Sequence, residues 1–169
     1  MMRLDRVNEM SITFRLGKNS DSKILSDLAL RSKAYWSYDK EFIDSCAEDL
    51  AISEERAGGG FIIVAEKNNQ VIGFYGFDQG LREKEMTHLF VDPSFIGKGV
   101  GLQLWNHAVL FAKNHGLKEF KLIADPFAAE KFYFKVGCTQ VGETDSSAKP
   151  GRKLPILIFK IDVSKTRTR

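Results

Sequence analysis

The chain has 169 residues, a net charge of +3, and hydrophobic and charged fractions of 43% and 28%. That length supports one domain with a hydrophobic core that needs no disulfide or metal, and the composition is that of a globular protein. The small net charge and the lack of a basic, aromatic-studded strand argue against nucleic-acid binding, and residues 1–16 lack the unbroken apolar run of a signal peptide or a membrane span.

The two cysteines and the basic C-terminus set the expected compartment and domain limits. Cys46 and Cys138 have no Cys or His at metal-ligand spacing, so we expect free thiols, no metal site and a cytoplasmic protein. We expect a single domain over residues 1–163. Residues 164–169, where Lys and Arg alternate with Thr, are expected to form a flexible tail.

Hydrophobic periodicity predicts helices and strands in the first half of the chain. In order, these are a strand over 12–16, a helix ending near 34, a helix over 40–50, a loop over 53–60, and hairpin strands over 61–66 and 71–77. Three aromatic residues, Tyr35, Trp36 and Tyr38, follow the first helix. They fit either a packed helix end or the wall of a binding pocket, since Tyr and Trp combine flat apolar faces with polar groups.

The second half of the chain begins with an alternating strand over 85–91. Its pattern places Glu85, Thr87, Leu89 and Val91 on one face and Met86, His88 and Phe90 on the other. The remaining elements are a helix over 99–115, a strand over 120–124, a short helix from 126 to 136, and strands over 139–143 and 154–161. This order predicts an α/β fold in which helices cover the faces of a mixed sheet.

A glycine-rich turn joins the strand over 85–91 to the following helix. Gly97, Gly99 and Gly101 alternate around Lys98, so backbone N–H groups and a helix N-terminus point to one place that suits a phosphate. A turn without a ligand needs only one or two glycines. A dinucleotide-binding motif would need Gly where Leu102 stands, and a P-loop would need Ser or Thr directly after Lys98. We therefore favour an anion site of another kind.

Two segments resemble signatures of the GNAT N-acetyltransferase superfamily. Val91-x-Pro93, continuing through Gly97-Lys98-Gly99-Val100-Gly101 to Leu104, is similar to the acetyl-CoA signature. Ala129-x-x-Phe132-Tyr133-x-x-x-Gly137 is similar to a second segment downstream. The spacing of the two motifs and the strand and helix order over 12–161 also fit. The resemblance implies a mixed, mostly antiparallel sheet of about seven strands with helices on both faces, and acetyl-CoA as the cofactor.

The resemblance also implies the cofactor contacts. The amides of the glycine turn would hold the pyrophosphate, and the backbone of Leu89 and Val91 would pair with the pantetheine arm. The expected cofactor-binding residues are Leu89, Phe90, Val91, Ile96, Gly97, Lys98, Gly99, Val100, Gly101, Leu102, Asp125, Ala129, Phe132 and Tyr133. Ile96 stands where the family usually has Arg or Gln, and Asp125 where it often has Asn, so Lys98 and the amides are expected to do more of the binding.

Two residues are expected to be catalytic. By the resemblance, Tyr133 lies near the sulfur of CoA. A phenol has an ordinary pKa of about 10 and a thiol about 8.5, so full proton donation is uphill by about 2 kcal/mol and Tyr133 is expected to act mainly as a hydrogen-bond donor. Glu85 is expected to take the proton of the attacking amine, directly or through water, with a solvated surface Glu as the alternative. His88 is expected to be a packing residue.

The acceptor amine is expected to contact the end of the first helix and the start of the last strand. The predicted residues are Arg31, Lys33, Tyr35, Trp36 and Arg152. Their segments, RSKAYW and PGRKLP, resemble a bacterial GNAT subgroup. A cluster of Arg31, Lys33 and Arg152 would favour an acceptor that carries a carboxylate or phosphate besides its amine, and the alternative is that these cations lie on the surface.

The sequence thus leaves two functions open. The first is transfer of an acetyl group to a primary amine of a small molecule or peptide by direct attack in a ternary complex. The second is a non-catalytic acyl-CoA sensor on the same fold, against which the retained Tyr133 argues. We expect no nucleic-acid or membrane partner. A homodimer remains open by analogy with the superfamily.

Overall fold

The computed structural model describes residues 11–36 and 38–162. The expected tail over 164–169 and residue 163, the expected domain limit, lie outside the described residues. The elements are β1 Thr13–Leu16, α1 Ser22–Ala34, α2 Lys40–Leu50, α3 Glu54–Ala57, β2 Ile62–Lys67, β3 Gln70–Phe77, β4 Met86–Val91, α4 Val100–Asn114, β5 Glu119–Ile123, α5 Pro126–Ala128, β6 Thr139–Asp145 and β7 Lys153–Lys160.

The seven strands form two antiparallel sheets, with strand orders β1-β2-β3-β4 and β5-β7-β6. This confirms the predicted α/β class and the mostly antiparallel pairing. Among the described residues, the two sheets are joined by one parallel bridge between Glu85 and Lys121, beside which the Lys121 N–H donates to the Lys84 carbonyl at 2.9 Å. No further bridge between β4 and β5 follows in this part of the chain, so β4 keeps one edge without a strand partner.

Two hydrophobic clusters cover the faces of the sheets. The larger lies under α4, where Leu104 and Trp105 pack with Tyr75, Phe120 and Leu157. The smaller lies under α1, and its buried members include Leu25, Leu28, Ile62, Val64 and Phe74. Both cysteines are free and buried, as the sequence predicted. No helix in residues 11–36 or 38–162 combines the length and apolar character needed to cross a bilayer.

The predicted loop over 53–60 is wrong in part, because it contains α3. Ser53 caps this helix by accepting a hydrogen bond from the Arg56 N–H at 3.1 Å, and Glu54 and Glu55 lie in its first turn. A Ser N-cap followed by acidic residues stabilises a helix start. Because three glycines follow at 58–60, the sequence favoured a loop over the whole of residues 53–60.

The predicted alternation of β4 is also wrong at its start. Gly76 pairs with His88 whereas Phe77 pairs with Met86, so Thr87 is the extra residue of a β-bulge. A bulge shifts the side chains before it to the other face. Met86 therefore packs in the same cluster as Leu89, instead of sharing the face of Phe90.

Candidate active site

The glycine turn begins at Asp92, whose carboxylate is held by two hydrogen bonds. Asp92 is buried, and its side chain accepts hydrogen bonds from the Ser94 N–H and from Arg31 Nη1, both at 2.9 Å. Burial alone would raise the pKa of Asp92, but the Ser94 N–H and the Arg31 guanidinium lower it on balance. Arg31 was predicted to contact the acceptor, but it forms an ion pair with Asp92 at the start of the glycine turn.

The two glycines that follow adopt the left-handed backbone conformation. Gly97 has φ of +82° and Gly99 has φ of +81°, and a Cβ at either position would meet no heavy atom within 4 Å. Non-glycine residues adopt this conformation at a cost, whereas glycine does so freely. Glycine therefore stands at two positions where the backbone reverses direction and where the adjoining space is open.

This reversal leaves the N-terminus of α4 uncapped. No side chain in the described part of the protein caps the helix, and the first intrahelical bond runs from the Gln103 N–H to the Gly99 carbonyl at 3.2 Å. Within the described residues, the N–H groups of Gly99, Val100, Gly101 and Leu102 have no hydrogen-bond acceptor. Unpaired N–H groups and the positive end of the helix dipole form a site that suits a phosphate.

Lys98 is the charged side chain of this turn. It is exposed and makes no ion pair with any described residue, and its Nζ lies 5.6 Å from the centre of the Phe95 ring. Ile96 is half-buried and offers no polar group. A bound anion would therefore meet backbone amides and one lysine.

The free edge of β4 leads away from the glycine turn. The Asp92 N–H donates to the Ile72 carbonyl of β3 at 2.8 Å. Because successive N–H groups of a strand point in opposite directions, those of Leu89 and Val91 point to the free edge. A Cβ at Gly101 would lie 3.9 Å from the Val91 side chain, so this edge begins beside the N-terminus of α4. The edge can pair with an extended ligand as with another strand.

A cavity of about 310 Å³ opens between β4 and β5. Leu89 and Phe90 line it from β4, and Leu122 and Ala124 from the opposite side. Tyr133, which follows α5 in a single π-helical turn over Ala129–Tyr133, lines it too. The free strand edge therefore connects the glycine turn with a cavity that is lined by Tyr133, the predicted catalytic tyrosine.

Tyr133 is held by packing. Its ring centre lies 5.9 Å from that of Trp105, and its hydroxyl makes no hydrogen bond with any described residue. Burial, and then the nearby Cys138, raise the pKa of Tyr133 well above its ordinary value. Burial likewise raises the pKa of Cys138 to about 12. Tyr133 is therefore a protonated hydroxyl with a free hydrogen to donate.

A polar network closes the other end of the cavity. Arg152 Nη2 lies 2.5 Å from Asp125 Oδ2 and 3.0 Å from the Tyr38 hydroxyl, which also donates to Asp125. The second oxygen of Asp125 accepts the Phe127 N–H at 2.9 Å and so caps α5. Burial would raise the pKa of Asp125, but the Tyr38 and Arg152 hydrogen bonds lower it. Asp125, predicted to contact the cofactor, is thus occupied by protein partners.

The remaining residues predicted for the acceptor are divided. Lys33, Trp36 and Arg152 line the cavity, whereas Arg31 and Tyr35 do not. Tyr35 is about half exposed and contacts Trp36 edge-on, with ring centres 5.1 Å apart. For the aromatic segment after α1, the pocket interpretation therefore holds for Trp36 and Tyr38, which is also in the wall.

Glu85, the predicted base, and His88, on the same strand pattern, lie in different places. Glu85 is absent from the cavity wall. Burial raises the pKa of its carboxyl, and Lys121 opposes that shift. His88, predicted to pack, does line the cavity, and its Nδ1 lies 2.8 Å from the Thr87 hydroxyl. Burial, with a contribution from Arg56, lowers the pKa of His88 to about 4, so it is neutral at neutral pH.

The family model of the acetyltransferase (GNAT) domain matches residues 21–149. The chain belongs to the GNAT acetyltransferase family. No curated protein matches it by sequence. The GNAT assignment confirms the resemblance found from the glycine turn and the segment around Tyr133.

Solved structures share this GNAT fold at low sequence identity. The PaiA N-acetyltransferase of Thermoplasma acidophilum in complex with coenzyme A is 23% identical, with a TM-score of 0.69 over 89% of this chain and 99% of that chain. A GCN5-related N-acetyltransferase of Rhodopseudomonas palustris is 20% identical, with a TM-score of 0.74 over 90% and 97%. YncA of Salmonella typhimurium with acetyl-CoA is 20% identical, with a TM-score of 0.61 over 90% and 95%. The ligands of two of these relatives agree with the cofactor predicted from the sequence.

The residues of this GNAT domain fit such a cofactor on their own geometry. The unpaired amides before α4 suit a diphosphate, the space in front of Gly97 and Gly99 is open, and the β4 edge is free for an extended arm. No group of three or more His, Cys, Asp or Glu in the described residues could hold a metal ion.

The sequence missed His88, Phe127 and Asp49 as cavity residues, because strand alternation and helix spacing identify a face and not what lies opposite it.

Proposed function

We propose that the protein transfers an acetyl group from acetyl-CoA to a primary amine of a small molecule or peptide, by direct attack in a ternary complex. The observation that carries this proposal is the continuous path from the uncapped α4 N-terminus, along the free β4 edge, to a cavity containing the Tyr133 hydroxyl. A sensor would need the first two features only. The unpartnered tyrosine hydroxyl in the cavity favours catalysis.

The cofactor is held by backbone groups in this proposal. The amides from Gly99 to Leu102 bind the diphosphate at the positive end of α4, and Lys98 adds its charge from the exposed side. The Leu89 and Val91 N–H groups pair with the amide-containing arm. The Phe132 ring supports the turn from behind, since a Cβ at Gly101 would lie 3.7 Å from it.

Acetyl-CoA supplies a thioester whose acetyl carbon bonds to the amine nitrogen while the C–S bond breaks. CoA leaves as the thiolate, which then takes up a proton from solvent. A backbone N–H of the free β4 edge that the arm leaves unpaired polarises the acetyl oxygen as negative charge develops on it. The Tyr133 hydroxyl donates a hydrogen bond to the departing sulfur. Its raised pKa makes it a donor that keeps its own proton.

The amine must lose a proton to react. We propose that Glu85 accepts this proton. Because Glu85 does not line the cavity, the proton reaches it through intervening water. The raised pKa of Glu85 makes it a stronger base than an ordinary carboxylate. Glu85→Gln should therefore flatten the acidic limb of the pH–rate profile, and an unchanged limb would exclude Glu85 from the mechanism.

The experiment that tests the proposed function is a measurement of thiol release from acetyl-CoA with a panel of amines. The panel contains polyamines, amino acids, aminoglycosides, arylalkylamines and peptides with free N-termini. Mass spectrometry of each acceptor separates acetylation from hydrolysis, and a reaction without amine gives the background. Amine-dependent thiol release with an N-acetylated product is the expected result. Tight CoA binding without any acetylated product would establish the sensor instead.

A further inference from the structure

The acceptor end of the cavity is walled by aromatic rings. Trp36 and Tyr38 contribute from the connection between α1 and α2, Phe90 from β4, and Phe127 from α5. Trp36 and Phe127 are 42% and 46% exposed, and their ring centres lie 5.3 Å apart. Large aromatic side chains that remain exposed beside a cavity indicate an apolar ligand.

The charges of the same wall are balanced. Arg152 is neutralised by Asp125 at 2.5 Å, and Arg31 lies outside the wall in its ion pair with Asp92. Lys33 and Asp49 remain, one cation and one anion. Of the three cations that the sequence grouped into an anion site, Lys33 and Arg152 line the cavity and both contact the Phe42 ring, whereas Arg31 lies outside the wall.

Lys33 and Asp49 differ in the contacts that their charged groups make. Lys33 Nζ lies 5.4 Å from the centre of the Phe42 ring, in a cation–π contact. Asp49 accepts a hydrogen bond from the Ser147 hydroxyl at 3.1 Å and makes no ion pair with any described residue. Asp49 thus leaves a negative charge at the wall, available to an ammonium group entering from solvent.

We propose that the acceptor is a primary amine on an aromatic body that carries no carboxylate or phosphate. This inference rests on the proposed acetyltransferase function and names its acceptor class. An aromatic body gains contact with Trp36 and Phe127. An anionic group would either displace Asp125 from Arg152 or stand beside the negative charges of Asp125 and Asp49. Lys33, which lies against the Phe42 ring, is the remaining cation of the described wall.

A matched pair of amines tests the acceptor class. 2-Phenylethylamine and phenylalanine share one body, and only phenylalanine carries a carboxylate; ethanolamine and phosphoethanolamine form a second pair without a ring. With saturating acetyl-CoA, we expect kcat/KM for 2-phenylethylamine to exceed that for each of the other three about tenfold or more. A higher kcat/KM for an amine with a carboxylate or phosphate, or for ethanolamine, would overturn the inference and leave the acetyltransferase function standing. Acetylation of no amine in this set or in the wider panel would overturn the function itself.

Single substitutions in the wall locate the effect. Trp36→Ala and Phe127→Ala should each raise KM for 2-phenylethylamine about tenfold while CoA affinity stays unchanged, which also shows that the variants fold. Leu110→Ala, at a large apolar residue that is 52% exposed on α4, is the control and should leave both constants unchanged. An unchanged KM for 2-phenylethylamine in both wall variants would contradict the assignment of these two rings to the acceptor.

Discussion

The proposed cofactor side and the proposed acceptor side of the cavity are built from different parts of the polypeptide. The cofactor side is one continuous stretch from β4 to the first turn of α4, and it offers mainly backbone N–H groups. The acceptor side joins side chains that are distant in sequence, since Arg152 and Tyr38 are 114 residues apart, and Tyr38 and Asp125 are 87 apart. A binding site made of backbone is encoded by local residues, whereas one made of side chains depends on the tertiary fold.

This difference explains the departures from the family pattern. On the proposed cofactor side, Ile96 offers no polar group, so an anion there would meet the amides at the start of α4 and Lys98. Asp125, on the acceptor side, is engaged by Arg152, Tyr38 and the Phe127 N–H, so its carboxylate organises the wall. The departure at Ile96 thus removes a polar group, whereas the departure at Asp125 forms an ion pair within the cavity wall.

Tyr133 stands where the two sides meet, and its substitution should have the largest effect. Tyr133→Phe keeps the ring that packs against Trp105 and removes the hydroxyl. We expect kcat to fall about 100-fold, because a hydrogen bond to the leaving sulfur acts only in the transition state. Steady-state kinetics give kcat, and calorimetry should give a CoA dissociation constant within about twofold of that of the wild type. An unchanged kcat would remove Tyr133 from the mechanism.

The next effect is on stability and arises from the histidine in the cavity wall. The pKa of His88 is lowered from 6.5 to about 4, so between these values the unfolded chain binds a proton that the folded chain does not. The stabilisation is complete above pH 6.5 and is lost as the pH falls towards 4. At pH 5 the free energy of unfolding should be lower by about 2 kcal/mol than at pH 7.5.

Urea unfolding of wild type and His88→Gln at these two pH values measures this loss. His107, whose pKa is also lowered by burial, contributes in the same pH range, so the difference between the two proteins is the quantity of interest. The carboxyl groups with lowered pKa, such as Asp125, lose their stabilisation below about pH 4 and do not interfere. An equal loss of unfolding free energy in wild type and His88→Gln would mean that His88 is solvated in the folded protein.

The smallest effect should come from the lysine of the glycine turn. Lys98→Ala removes an exposed charge beside the anion site, and we expect CoA to bind about two- to fivefold more weakly at low salt and equally at high salt. Lys113→Ala, in the last turn of the same helix, is the matched control and should leave binding unchanged. Equal affinities for wild type and Lys98→Ala at low salt would mean that the amides alone hold the diphosphate.

The sequence predicted the parts of this fold that depend on local pattern. The bounds of α2, Lys40–Leu50, follow from helical spacing, and the hairpin of β2 and β3 follows from the strand pattern on either side of Asn68 and Asn69, which both have positive φ. It did not predict the bulge at Thr87, because that depends on the register with β3. It also placed Arg31 with the acceptor, since nothing local indicates its ion pair with Asp92, 61 residues away.

The central claim is that the backbone of the glycine turn holds the cofactor, and calorimetric titration of CoA into two matched variants tests it most directly. Gly99 and Gly116 have φ of +81° and +82°, and a Cβ at either would meet no heavy atom within 4 Å. Ala at each position should cost about 1 kcal/mol of folding stability for the same reason. We predict that Gly99→Ala weakens CoA binding about tenfold while Gly116→Ala binds like the wild type. Equal CoA affinities in the two variants would contradict the claim.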